Sequence, residues 1–194
     1  MRPVVKAIVF DCFGVLRPDM IRAVYARMGG DTHADDVFIS DTLYQSHMGK
    51  IPSSAPVFAK RLGVSTEEWI KELNADSNDQ QLLDYIQQLR KKYKIGVLSN
   101  MGSGGLNRYF TPEEMDMYFD ATAVSGEIGY AKPQAVAYET IADRLGVRLD
   151  ECIFTDDREG YCEGARAVGM HSILYHNFPQ FKDELEELLS QSAA

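Results

Sequence analysis

Residues 5–16, Val-Lys-Ala-Ile-Val-Phe-Asp-Cys-Phe-Gly-Val-Leu, constrain the fold more than any other stretch of the chain. An apolar run stops abruptly at one carboxylate, Asp11, and a glycine follows three residues later at Gly14. The run is too short for a typical helix and reads as a buried strand. The glycine lets the chain turn and lets backbone come close to a ligand. A carboxylate at the C-terminal end of a buried strand stands where open α/β sheets bind their ligands.

The rest of the chain supplies the partners of that strand. Residues 18–29, 34–48 and 54–62 read as helices, the first stopping at Gly29-Gly30 and the third at Gly63. Ser65-Thr-Glu-Glu68 is a capping box that opens a short helix through Trp69 and Leu73. Residues 17–76 contain no convincing strand, so they form a helical cap inserted into a core made of residues 1–16 and 77–194. In that core Leu82, Ile86 and Leu89 mark a helix face, and Lys94 to Asn100 reads as a strand with polar residues at its end. Thr111-Pro-Glu-Glu114 is a second capping box. Ala121–Val124 is a short strand, and a helix over 133–145 opens with Pro133. Glu151 to Asp157 is a strand ending in two aspartates, 159–168 a helix, His171 to His176 a strand, and 179–190 a last helix. Alternating strands and helices predict an α/β fold with a doubly wound parallel sheet. The cap then sits above the C-terminal edge of the sheet, beside Asp11.

Composition excludes several classes of function. With 45% hydrophobic residues in 194 the chain is expected to fold rather than stay disordered. Its formal charge of -9, without a basic run, argues against nucleic-acid or anionic-membrane partners. An anionic small molecule remains possible where a metal ion reverses the local field. Cys12, Cys152 and Cys162 have no metal-like spacing and read as reduced thiols of an intracellular protein. The Cys12 side chain should point away from that of Asp11, which makes it a poor nucleophile. No signal peptide and no apolar run of transmembrane length is visible, so a cytoplasmic protein is expected, by default a monomer. No His pair has convincing metal spacing. His47, Tyr44 and Tyr25 fall in the cap and could face a substrate, although core or surface is the more ordinary reading.

Polar groups recur at the predicted strand ends: Asp11, Ser99-Asn100 and Asp156-Asp157, with Lys132 just before Pro133. Singly, each has an ordinary reading as a strand-end turn, an N-cap, a solvated lysine or a loop cap. Their joint order resembles the haloacid dehalogenase-like (HAD) hydrolase superfamily. The matching segments are Phe10-Asp-Cys-Phe-Gly-Val-Leu16, Val97-Leu-Ser-Asn100, Gly129-Tyr-Ala-Lys-Pro133 and Ile153-Phe-Thr-Asp-Asp157, followed by Glu163-Gly-Ala-Arg-Ala-Val-Gly-Met170. The resemblance spans essentially the whole chain and is closest to the subgroup with a small four-helix cap. It implies a Mg²⁺-dependent phosphatase of a small phosphorylated metabolite, with Asp11 attacking phosphorus to form an acyl phosphate that water cleaves. It further implies that Asp11, the backbone carbonyl of Phe13 and Asp157 hold the metal, with Asp156 a ligand or the residue that positions one. Lys132 would neutralise charge between nucleophile and phosphate, and Ser99, with Asn100, would bind the phosphoryl oxygens.

Two positions depart from the family pattern. Most phosphatases of the superfamily carry a second Asp two residues after the nucleophile, as leaving-group acid and water base. Here that position is Phe13, which transfers no proton, and general acid–base catalysis is worth ~10²–10⁴-fold. Tyr161 stands where close relatives have Asp or Asn. The departures leave three expectations. One is a phosphatase of activated esters such as sugar 1-phosphates or acyl phosphates. Another is a catalytically impaired binding or regulatory protein. A third is a 2-haloacid dehalogenase, whose family members carry Tyr at position 13 but lack the acidic pair present here.

Overall fold

Strand β1 (Ala7–Phe10) is the central strand of a five-stranded sheet, paired in parallel on both sides. The computed structural model describes residues 4–75 and 77–192; residues 1–3, 76 and 193–194, at the limits of the expected core and cap, lie outside the described residues. After β1 come helices α1 (Ile21–Arg27), α2 (Asp36–His47), α3 (Ala55–Leu62), α4 (Thr66–Leu73) and α5 (Gln80–Leu89). Then follow β2 (Lys94–Ser99), α6 (Pro112–Tyr118), β3 (Ala121–Val124), α7 (Ser125–Ile128) and α8 (Ala135–Leu145). The chain ends with β4 (Cys152–Asp156), α9 (Glu159–Ala167), β5 (His171–Leu174) and α10 (Phe178–Ser192). The strand order is β3-β2-β1-β4-β5, and every pairing is parallel. Each crossover from one strand to the next therefore needs a helix, which is the doubly wound arrangement the alternation predicts.

The two-residue period of the strands feeds two cores. Ile8, Phe10, Ile95, Val97 and Ile153 point to the side covered by α5, α6 and α10. Ala7, Val9, Leu98 and Phe154 point to the side covered by α8 and α9. Strands buried on both faces show continuous apolar runs instead of alternation, which is why the stretch leading into Asp11 is so legible. Gly96 lets α8 approach closely, since a Cβ there would come within 2.9 Å of Leu145 and 3.1 Å of Ile141.

A third core lies within α1 to α4. Val24, Tyr25, Ile39, Ala55, Phe58, Ala59, Trp69 and Leu73 are its buried members. The Tyr25, Phe58 and Trp69 rings meet at centroid distances of 5.2–6.3 Å, two of the three contacts edge-on, an arrangement that adds to the burial of large apolar area. Tyr25 is therefore a core residue, its hydroxyl donating to Asp35 at 2.6 Å. Arg17 joins this unit to the loops before α5 and α6. Its guanidinium lies 3.8 Å from the Tyr109 ring centre and donates to the Leu73 carbonyl and to Asn78.

Several boundaries differ from the sequence expectation. The helix expected to open at Pro133 begins at Ala135. Residues 131–134 close a turn first, with Gln134 N–H donating to the Ala131 carbonyl and Ala131 N–H to Gln134 Oε1. The Lys132–Pro133 peptide inside that turn is cis. Strand β4 starts at Cys152 and stops at Asp156, because Glu151 ends a 3₁₀ turn and Asp157 leaves the ladder. His176 lies beyond β5, whereas both capping boxes form as read.

Candidate active site

The register of the sheet brings the strand ends together. Phe10 lies opposite Val97 on β2 and Thr155 on β4, and Asp11 N–H continues the ladder to the Thr155 carbonyl at 2.9 Å. Asp11, Ser99 and Asp156 thus emerge side by side at the C-terminal edge of the three central strands. Lys132 enters from the turn before α8. Its Nζ lies 2.8 Å from Asp11 Oδ1 and 2.6 Å from Asp156 Oδ2, and the lysine and both acids are buried. Two buried carboxylates without a cation would repel each other, and a buried ammonium without a carboxylate would lose its charge. Burial pulls the Lys132 ammonium down, yet the Asp11 and Asp156 charges outweigh it and hold its pKa above the ordinary value. Burial pushes the Asp156 carboxyl up to about 7, against the pull of Lys132.

Asn100 fixes where Lys132 stands. Its Oδ1 accepts the Lys132 N–H at 2.8 Å, and its Nδ2 donates to the Lys132 carbonyl at 2.9 Å. The same Nδ2 reaches the Tyr161 hydroxyl at 3.3 Å. The Tyr161 ring lies 5.0 Å from Lys132 Nζ. The aromatic at position 161 thus covers the lysine.

Asp157 completes an acidic group. One carboxylate oxygen from each of Asp11, Asp156 and Asp157 lies within 4.8 Å of the others. Burial, followed by the Asp11 charge, raises the Asp157 pKa. Gly14 makes room for it. Its φ of +84° is one that L side chains avoid, and a Cβ there would sit 2.3 Å from Asp157 Oδ2. Three hard oxygen donors drawn together against their own repulsion suit a divalent cation of the Mg²⁺ kind. Ser99 Oγ is buried and has no hydrogen-bond partner among the described residues, an unmet donor facing the place where an anion would sit.

Above these groups opens a cavity of about 480 Å³, lined by Asp11, Ser99, Asn100, Lys132 and Tyr161 below and by α1 and α2 above. The sequence leaves most of the upper wall unmarked. Arg22, Ser40, Tyr44 and His47 all line it. Tyr44 and His47 thus take the substrate-facing alternative instead of the core or surface position that is the more ordinary reading. Helix α2 is only weakly amphipathic, so periodicity does not mark the side that faces a cavity. Arg158 also lines the space and pairs with Asp19 of the opposite wall at 3.6 Å. Phe13 lines the cavity as well, with its ring edge-on to Tyr109 at 5.4 Å.

Comparison with known proteins places this geometry in a family context. The family model described as haloacid dehalogenase-like hydrolase matches residues 5–169. A phosphatase of Mycobacterium tuberculosis is 34% identical over 109 residues, 54% of this chain and about half (49%) of that protein's length. The D-ribitol-5-phosphate phosphatase of Bacteroides thetaiotaomicron is 27% identical over 96% of this chain and 99% of its own. A HAD family enzyme from the same bacterium superposes with a TM-score of 0.76 at 21% identity, covering 94% of this chain and 98% of that one. Its complex with magnesium and inorganic phosphate superposes with a TM-score of 0.72 at 22% identity, covering 89% and 94%. At these identities the structural likeness speaks for the fold.

Proposed function

The chain belongs to the haloacid dehalogenase-like hydrolases, and we propose that it is a Mg²⁺-dependent phosphatase that acts on a small phosphorylated metabolite through an aspartyl phosphate on Asp11. The observation that carries this reading is the junction of Asp11, Asp156, Asp157 and Lys132 at one strand edge, three acids within 4.8 Å and one buried ammonium. Asp11, Asp157 and the Phe13 carbonyl would hold the cation, with Asp156 beside them. When bound, it supplies positive charge that offsets the repulsion between a carboxylate and a phosphate.

The residues of the chain then divide the work. Asp11 is the nucleophile, its carboxylate oxygen forming a bond to phosphorus as the ester oxygen leaves. Lys132 sits against that carboxylate and stabilises charge on the transferring group. Ser99 donates its unpartnered hydroxyl to a phosphoryl oxygen. Asn100, engaged with the Lys132 backbone, acts through the lysine. The cap, residues 17–76, closes the space above the core of residues 1–16 and 77–194, and its separate hydrophobic core supports that division. Two relatives, both named as phosphatases, support a phosphate ester as substrate. Phe13 in place of an acid favours esters whose leaving group departs without a proton. The reading includes a cytoplasmic monomer; three buried free cysteines support a reducing compartment. Among the described residues no helix is long and apolar enough to cross a membrane.

Phosphate release from a panel of sugar phosphates, acyl phosphates and alkyl phosphates tests this, with Mg²⁺ and with EDTA. The reading requires activity that EDTA abolishes and that Asp11→Asn lacks. Activity indifferent to both overturns it.

A further inference from the structure

We propose that His47, from cap helix α2, is the general base of the second half-reaction, accepting the proton of the water that frees the phosphoryl group from Asp11. The inference rests on the phosphatase reading above and goes beyond it by naming the group that takes over the water-activating part of the role absent at position 13.

The cavity offers few alternatives. Phe13 presents a hydrocarbon ring packed against Tyr109. Asp11 is itself phosphorylated in this step. Asp19 is occupied on both oxygens, accepting Ile21 N–H on Oδ1 and pairing with Arg158 through Oδ2. Lys132 is held between two carboxylates as a cation. The Tyr161 hydroxyl already accepts from Asn100. Tyr44 offers a phenol on the more exposed part of the wall. The half-buried His47 lines the same cavity as Asp11 and Ser99. Among the described residues its imidazole nitrogens have no hydrogen-bond or ion-pair partner.

Its surroundings keep that ring unprotonated before the water attacks, and the same charges make it a weak base. Burial comes first, then the positive charges of Arg158 and Lys132, and only Asp11 works in the opposite direction; together they lower the His47 pKa to about 4. The imidazole is neutral at neutral pH. In the step itself the water oxygen bonds to phosphorus, the bond from phosphorus to the Asp11 oxygen breaks, and the water proton moves to the free imidazole nitrogen. The products are a free Asp11 carboxylate, inorganic phosphate and an imidazolium that returns its proton to solvent. A neutral imidazole is too weak an acid to protonate the leaving oxygen in the first half-reaction. This base therefore goes with substrates whose leaving group is stable as an anion, an anomeric or acyl phosphate.

The test uses the whole chain with Mg²⁺ and acetyl phosphate, followed by acid quench and intact mass. In His47→Gln the phosphorylated protein should accumulate while kcat falls about 100-fold, within the range a positioned base supplies. Added imidazole should restore turnover in His47→Ala. In the unaltered protein, single-turnover loss of the phosphoryl group should show a normal solvent deuterium isotope effect, which keeps the test independent of how the variants fold. A missing isotope effect, or a fall in kcat without phosphoprotein, overturns the role of His47. Phosphate release by Asp11→Asn overturns the phosphatase reading instead, so the two failures are distinguishable.

Discussion

The Lys132 ammonium lies 2.8 Å from the Asp11 carboxylate, although the two residues stand far apart in sequence. The second contact, to Asp156 at 2.6 Å, makes the lysine the only cation between two buried acids among the described ion pairs. Truncating one partner of a buried ion pair leaves an uncompensated charge and costs about 3–5 kcal/mol. Lys132→Met should therefore lower unfolding free energy by about that amount, read from urea denaturation at neutral pH. It should also lower phosphate release by about 10²–10³-fold, the loss expected from removing one electrostatic stabiliser. Full stability in this variant would mean that the lysine does not hold the acids together.

Gly14 predicts a metal phenotype. With φ at +84° and the virtual Cβ 2.3 Å from Asp157 Oδ2, Gly14→Ala must displace the carboxylate or the loop. Backbone strain of this kind costs about 1–3 kcal/mol. Mg²⁺ affinity, measured by calorimetry on the protein alone, should weaken about 10–100-fold. Unchanged affinity would remove Asp157 from the cation site.

Phe13 predicts a gain of function. Phe13→Asp places an acid beside the nucleophile and should raise turnover of an unactivated alkyl phosphate by about 10²-fold. The cost is the loss of an edge-on contact with Tyr109, visible as a lower Tm. If Mg²⁺ still binds and turnover does not rise, proton transfer to the leaving group is not what limits the enzyme.

His47 predicts a pH dependence of stability. The folded chain keeps the ring neutral down to about pH 4, whereas an unfolded histidine protonates near the ordinary value of 6.5. Between these values the unfolded state binds the extra proton, so stability falls as pH drops through that window and levels off below it. The contribution is about 2 kcal/mol once solvent reaching the ring through the cavity is allowed for. The stability advantage of the wild type over His47→Gln should shrink by that amount from pH 7 to pH 4. Parallel stability curves for the two proteins would place the ring in solvent.

The amino-acid sequence alone determined the strands, the order of the helices and the polar residues at the strand ends. Each of these is a local signal. An apolar run broken by Asp11, a Ser-Asn pair after Leu98, and two acids after Thr155 all lie within a few residues of the strand that aims them. The start of α8 departs from the expectation because Pro133, a common first helical residue, lies here inside a turn closed by Ala131 and Gln134. Only the tertiary structure decided which cap residues face the acids. Tyr44 and His47 share α2 with the buried Ile39, Thr42 and Ser46, and nothing in their spacing separates a cavity wall from solvent. That distinction arises when two separately packed cores are set against each other. A cavity between them is a property of contacts distant in sequence, whereas periodicity records only the neighbours along one element.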